Sequence, residues 1–132
     1  MGETENRKTI LVIDDEEMIR DIAHDMLNHL GYDIILAADG ESAIDLFKKK
    51  NKSIDLVLVD LIMPKMNGMI CLQKLKEINK DVPIVVASGI SEVSKKRSVM
   101  EMGACGYLEK PYSIKSLKEI CLSIFDSVDE EN

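Results

Sequence analysis

Two rhythms of apolar residues alternate along this chain. Thr9-Ile10-Leu11-Val12-Ile13 is a short, β-branched apolar run that stops at Asp14-Asp15. Uninterrupted runs of this kind read as strands buried on both faces of a parallel sheet. From about residue 17 to 30 the period changes to that of a helix, with Ile19, Ile22, Ala23, Met26, Leu27 and Leu30 on one side and Gly31 as the stop. Asp33-Ile34-Ile35-Leu36 predicts a second strand, and 41–50, with Ala43, Ile44 and Phe47 in phase, a second helix. The most apolar strand is predicted over Ile54 to Val59 and ends at Asp60. A breaker-rich loop, Met63-Pro64-Lys65-Met66-Asn67-Gly68, leads to a helix over 69–79 carrying Leu72, Leu75 and Ile78. Pro83 opens a fourth strand, Ile84-Val85-Val86-Ala87, which ends at Ser88-Gly89. The helix predicted over 91–102 has the weakest apolar stripe. Cys105 to Leu108 form a fifth strand ending at Glu109-Lys110-Pro111, and the helix over 113–126 has the cleanest stripe.

Five strand–helix units in alternation require crossover connections, and so predict an α/β fold with a parallel sheet covered by helices on both faces. Five strands without a sixth favour the flavodoxin-like, doubly wound order 2-1-3-4-5 over the dinucleotide-binding order. In that order strands 1 and 3 are neighbours at the switch point, outside whose carboxyl ends ligands bind. One domain over 8–126 is expected, with flexible ends at 1–7 and 127–132.

Composition narrows the function. Apolar residues make up 45% of 132, enough for a globular core. The formal charge of −7 argues against nucleic-acid binding and against docking on an anionic membrane. No apolar run approaches the ~20 residues that span a bilayer, and the N-terminus lacks a secretory signal, so a cytoplasmic location is expected. Cys71, Cys105 and Cys121 are odd in number and without C-x-x-C spacing, which predicts reduced thiols serving as small apolar residues.

The chemistry gathers at the strand ends. Strand 1 delivers Asp14 and Asp15, strand 3 Asp60, strand 4 Ser88 and strand 5 Lys110. Three carboxylates there would repel one another unless a cation intervened. Mg2+ suits such a set, since it takes few protein carboxylates and fills its shell from water and phosphate oxygens. Lys110 supplies a mobile charge for phosphate oxygens, and Ser88 a hydroxyl that can donate to one. Such a constellation fits phosphoryl transfer, where positioning and charge neutralisation do most of the catalysis. Taken singly, each has a plainer explanation: Asp14 or Asp15 capping a helix, Asp60 a solvated strand end, Ser88 a turn residue, Lys110 a surface charge. Their joint placement after successive apolar strands is what these explanations fail to cover.

In four segments the chain resembles the receiver domains of two-component response regulators. They are Ile10-Leu11-Val12-Ile13-Asp14-Asp15-Glu16; Leu56-Val57-Leu58-Val59-Asp60-Leu61-Ile62-Met63-Pro64 with Asn67-Gly68; Val86-Ala87-Ser88-Gly89; and Gly106-Tyr107-Leu108-Glu109-Lys110-Pro111. Their order and spacing, over nearly the whole chain, carry the resemblance. It implies that Asp60 accepts a phosphoryl group from the phosphohistidine of a histidine kinase or phosphotransfer domain. It implies Mg2+ held by Asp15, Asp60 and the Ile62 carbonyl, with Asp14 as an outer ligand. Lys110 would meet the phosphoryl oxygens, Ser88 and Tyr107 would form the switch pair, and Lys110-Pro111 would be a cis peptide. The output face would be the helix 91–102, the strand 105–108 and the helix 113–126, meeting a downstream protein target, a linked output domain or a second copy. Such a domain is not an enzyme, but it assists its own phosphorylation and dephosphorylation. Ser88 stands where threonine is commoner in the family. Ile62 and Ile90, each two residues beyond a site residue, are expected to hinder attack by water on the phosphorylated form.

Other readings fit less well. A phosphatase of the haloacid-dehalogenase type needs a second aspartate two residues after the first, where this chain has Ile62. A nucleotide- or flavin-binding module needs a glycine-rich first turn, and Asp14-Asp15-Glu16-Glu17 would repel phosphates. A phosphorylation-independent interaction module should lack part of the site. Only Asp126 to Asn132 follow the last helix, which fits either a single-domain regulator or a receiver from a longer protein such as a hybrid histidine kinase.

Overall fold

A computed structural model of the chain describes residues 7–89 and 94–131, with side chains described as far as residue 126. Residues 1–6, Ile90, residues 91–93 of the fourth expected helix and Asn132 lie outside the described residues, and of 127–131, in the second expected flexible end, the backbone alone is described, as helix. The strands are β1 (Thr9–Ile13), β2 (Asp33–Ala37), β3 (Leu56–Asp60), β4 (Ile84–Ser88) and β5 (Gly106–Glu109). The helices between and after them are α1 (Glu17–His29), α2 (Gly40–Lys50), α3 (Gly68–Ile78), α4 (Lys96–Glu101) and α5 (Ile114–Glu131). All strand pairs are parallel, in the order β2-β1-β3-β4-β5, which is the flavodoxin-like order.

Strand periodicity builds two cores. Alternate residues point to opposite faces of a sheet. Leu11, Ile13, Val57, Val59, Ile84 and Val86 therefore share one face and pack against Phe47 of α2 and Leu72 and Leu75 of α3. Ile10, Val12, Leu58, Val85 and Ala87 share the other and pack against Leu27 of α1 and Leu117 and Phe125 of α5. Each Val, Leu, Ile or Phe among them stabilises the fold by about 1.5–3 kcal/mol on full burial. β3 and β4 are buried along their whole length, whereas β2, at the sheet edge, leaves Asp33 and Leu36 exposed.

The departures from the expected elements have local causes. A 3-10 turn at Asn51–Ser53 delays β3 to Leu56, and the Asp55 carboxylate accepts the Thr9 N–H at 2.8 Å. β5 starts one residue late, so Cys105 is exposed rather than packed in a core, while Cys71 and Cys121 are buried; all three are free thiols. The described part of α4 is six residues long with Val99 as its buried anchor, against the 91–102 expected. α5 runs past residue 126 to Glu131, and its first stripe residue, Ile114, is exposed. Side-chain caps start three helices: Asp39 accepts the Ser42 N–H at 2.7 Å, Asn67 the Ile70 N–H at 3.0 Å and Ser113 Oγ the Ser116 N–H at 3.0 Å. Gly31, at φ 99°, takes the left-handed conformation that ends α1. No helix among the described residues is long and apolar enough to cross a membrane.

Candidate functional site

Among the described residues, the buried polar or charged side chains are Asp14, Asp60 and Ser88, all at the carboxyl end of the sheet. Burying a charge is costly unless it is paired, and this concentration in one place singles out the site. Sheet register sets the spacing: Asp60 lies beside Ala87, and Ser88 beside Glu109. The Lys110 N–H donates to the Ser88 carbonyl at 2.7 Å, fixing where the lysine leaves the sheet. The Lys110-Pro111 peptide is cis.

Lys110 neutralises part of the acidic cluster. Its ammonium lies 2.8 Å from Asp14 Oδ2 and 3.1 Å from Asp60 Oδ1. Burial pulls the lysine's pKa down, but the hydrogen bond to Asp14 and the charges of Asp60 and Asp14 outweigh it, so the net shift is upward and the ammonium stays charged. Asp60 is pushed up to about 6, by burial first and by the charge of Asp14 second, against the pull of Lys110 and of the Ile62 N–H.

Asp14 does not cap α1 directly. Glu16 occupies the cap position without a side-chain cap, and Asp14 Oδ1 accepts the Glu16 N–H at 2.9 Å. Asp14 Oδ2 is buried and, its ion pair with Lys110 aside, has no hydrogen-bond partner. One carboxylate oxygen each from Asp14, Asp15 and Asp60 lies within 4.8 Å of the others, and Asp15 is exposed, open to a hydrated ion. Three carboxylates gathered at one point, hard oxygen donors and the open side at Asp15 fit a divalent cation such as Mg2+.

Ser88 Oγ is hydrogen-bonded to the Tyr107 hydroxyl. Tyr107 is half-buried, and the Lys96 ammonium of α4 lies 6.0 Å from its ring centroid. Ile62 is 51% exposed beside Asp60. The loop after β3 is held close by Gly68, whose N–H donates to the Leu61 carbonyl at 2.7 Å. A Cβ at Gly68 would come within 2.5 Å of the Asp60 carbonyl oxygen.

Every site residue expected from the sequence lies on this edge. Two further residues meet it without having been expected. Tyr112, just past the cis peptide, is buried, and burial followed by the charges of Asp14 and Asp60 pushes its hydroxyl pKa far up, so it stays protonated. Arg20 donates from Nη1 to the Asp14 carbonyl at 2.7 Å. Neither stands at a strand end, the signal that marked the others.

A doubly wound parallel sheet with an acidic cluster, a lysine and a hydroxyl at its carboxyl edge is the architecture of a flavodoxin-like receiver domain. The chain belongs to the response regulator receiver domain family, whose sequence profile matches residues 10–121. It is 42% identical over 124 residues to the probable transcriptional regulator ycf27 of Porphyridium aerugineum, covering 94% of this chain and 50% of that protein. It is 36% identical to part of the autoinducer 1 sensor kinase/phosphatase LuxN of Vibrio campbellii, covering 85% of this chain and 13% of that protein. Its fold matches the crystal structure of the CheX-CheY-BeF3-Mg+2 complex from Borrelia burgdorferi with a TM-score of 0.85 and 28% identity, over 89% of each chain. The chain thus spans about half the length of the curated ycf27 relatives it matches.

Proposed function

We propose that this receiver domain takes a phosphoryl group from a phosphohistidine onto Asp60, with Mg2+, and passes the change to the face formed by α4, β5 and α5. The observation that carries the reading is the concentration of the buried polar side chains, Asp14, Asp60 and Ser88, around one ammonium. A carboxylate oxygen of Asp60 attacks phosphorus as the bond to the histidine nitrogen breaks. Asp15, Asp60 and the Ile62 carbonyl would hold the cation, with Asp14 as an outer ligand, and the chemistry it would supply is neutralisation of the negative charge gathered there. Lys110, already between Asp14 and Asp60, turns to a phosphoryl oxygen.

Ser88 and Tyr107 are the switch pair. Their mutual hydrogen bond engages the hydroxyl that the phosphoryl group needs. When Ser88 turns to a phosphoryl oxygen, Tyr107 loses that hydrogen bond and turns inward, and α4, in contact with Tyr107 through Lys96, moves with it. The partners are a histidine kinase or phosphotransfer domain upstream and a protein target or linked output domain downstream. The domain, acidic overall, binds neither nucleic acid nor membrane itself, works in the cytoplasm and is no enzyme beyond assisting its own phosphorylation and dephosphorylation. The related Borrelia burgdorferi structure, a complex with BeF3 and Mg+2, supports this reading.

Beryllofluoride, a phosphoryl mimic, tests it. Bound fluoride resonances that need both Mg2+ and Asp60, with a shift of the Tyr107 ring signals, are expected. No binding by the folded wild type would favour a phosphorylation-independent interaction module.

A further inference from the structure

The acidic loop between β1 and α1 must aim Asp15, an exposed side chain, at the cluster through its backbone. The chain around it is pinned at successive points. The Asp14 N–H donates to the Ala37 carbonyl at 3.2 Å, and Asp14 Oδ1 holds the Glu16 N–H. The Asp14 carbonyl lies past the end of the β1 ladder, and Arg20 Nη1 reaches it at 2.7 Å. Arg20 sits in the first turn of α1, and its own N–H donates to the Glu16 carbonyl at 3.0 Å. Side chains on a helix lean toward its N-terminus, which turns this guanidinium back over the loop. A hydrogen bond from a charged donor is stronger than a neutral one. It fixes the plane of the Asp14–Asp15 peptide, and that plane sets the direction in which Asp15 leaves the backbone.

We propose that Arg20 is a positioning residue for the cation, holding the Asp14–Asp15 peptide so that the Asp15 carboxylate meets those of Asp14 and Asp60. The proposal rests on reading that cluster as a cation site. Arg20 contacts no ligand oxygen: it acts through the Asp14 carbonyl. Its charge works against the ion it serves, because a cation near a cation site repels the incoming ion. Charge and positioning therefore predict opposite signs. If Arg20 matters only as a charge, its removal tightens Mg2+ binding. If it positions the loop, its removal weakens binding.

Isothermal titration of Mg2+ into the full chain separates the two. Arg20→Met keeps the packing of the stem and removes every donor. We expect its Kd for Mg2+ to rise about tenfold, the lower end of the usual cost of losing an outer-shell partner. Arg20→Lys, which keeps one charged donor, should recover part of that loss. Thermal unfolding without metal shows whether each variant is folded. If Arg20→Met does not fold, Arg20→Gln decides instead: it drops the charge and shortens the donor, so weaker binding supports positioning. An unchanged or lower Kd in the folded, charge-removed variant would overturn the proposal. A wild type that binds no Mg2+ would overturn the cation site itself, and the role of Arg20 with it.

Discussion

Asp60 is held in a state that folding alone disfavours. Its carboxyl ordinarily loses its proton near 3.8, and in the fold it does so at about 6. The folded state therefore binds more protons than the unfolded chain between those values, and wild-type stability falls as pH rises through that window. Above about 6 the whole penalty is present; below the ordinary value it is gone. Replacing Asp60 by Asn removes the charge and keeps the shape. The metal-free Asp60→Asn protein should be about 1–2 kcal/mol more stable than wild type at pH 7, the shift being discounted for solvent screening. The gain should vanish near pH 4, and Mg2+ should shrink it at pH 7 by stabilising the wild type alone. Urea unfolding at the two pH values, with and without Mg2+, checks this. At this scale the sequence was informative wherever a polar residue interrupted an apolar strand, as at Asp14, Asp60 and Ser88. It was silent on Arg20 and Tyr112, because a first-turn arginine and a tyrosine after proline look like surface and core residues until the fold brings them to the cluster.

The elements around the site differ in how firmly they are held. β3 and α3 meet where Gly68 crosses the end of β3, and a Cβ there would lie 2.7 Å from the Leu61 Cα. Backbone cannot yield as a flexible side chain can, so Gly68→Ala must push the loop off the strand end. The cost should be about 1–3 kcal/mol in urea unfolding, with weaker Mg2+ binding because Asp60 and Ile62 flank the displaced strand end. A stability equal to wild type would contradict that packing. α4, by contrast, has Val99 as its buried anchor and Lys96 over Tyr107. Its weak apolar stripe in the sequence foretold few anchors. Element types were legible throughout, because a period of two or an unbroken apolar run separates cleanly from a helical stripe. Boundaries slipped where local turns decided them, as at Asn51–Ser53 before β3 and at exposed Cys105 before β5.

At the scale of the molecule, strand order does the assembling. Because β1 and β3 are neighbours, Asp14 and Asp60 arrive side by side from positions far apart in the chain, and β4 and β5 add Ser88 and Lys110 along the same edge. The order followed from alternation and strand count, so the site was legible as a place before any distance was known. What pattern alone could not supply was the resting state, in which Lys110 bridges the carboxylates and Ser88 is engaged by Tyr107. Those contacts depend on side-chain directions that periodicity does not encode. The central claim is that this edge accepts a phosphoryl group on Asp60. Its most direct test is the intact mass of wild type and Asp60→Asn after incubation with acetyl phosphate and Mg2+. The account predicts that the wild type gains the mass of one phosphoryl group, that EDTA abolishes the gain and that Asp60→Asn shows none. A folded wild type that gains nothing, or an Asp60→Asn variant labelled as fully as wild type, would contradict it.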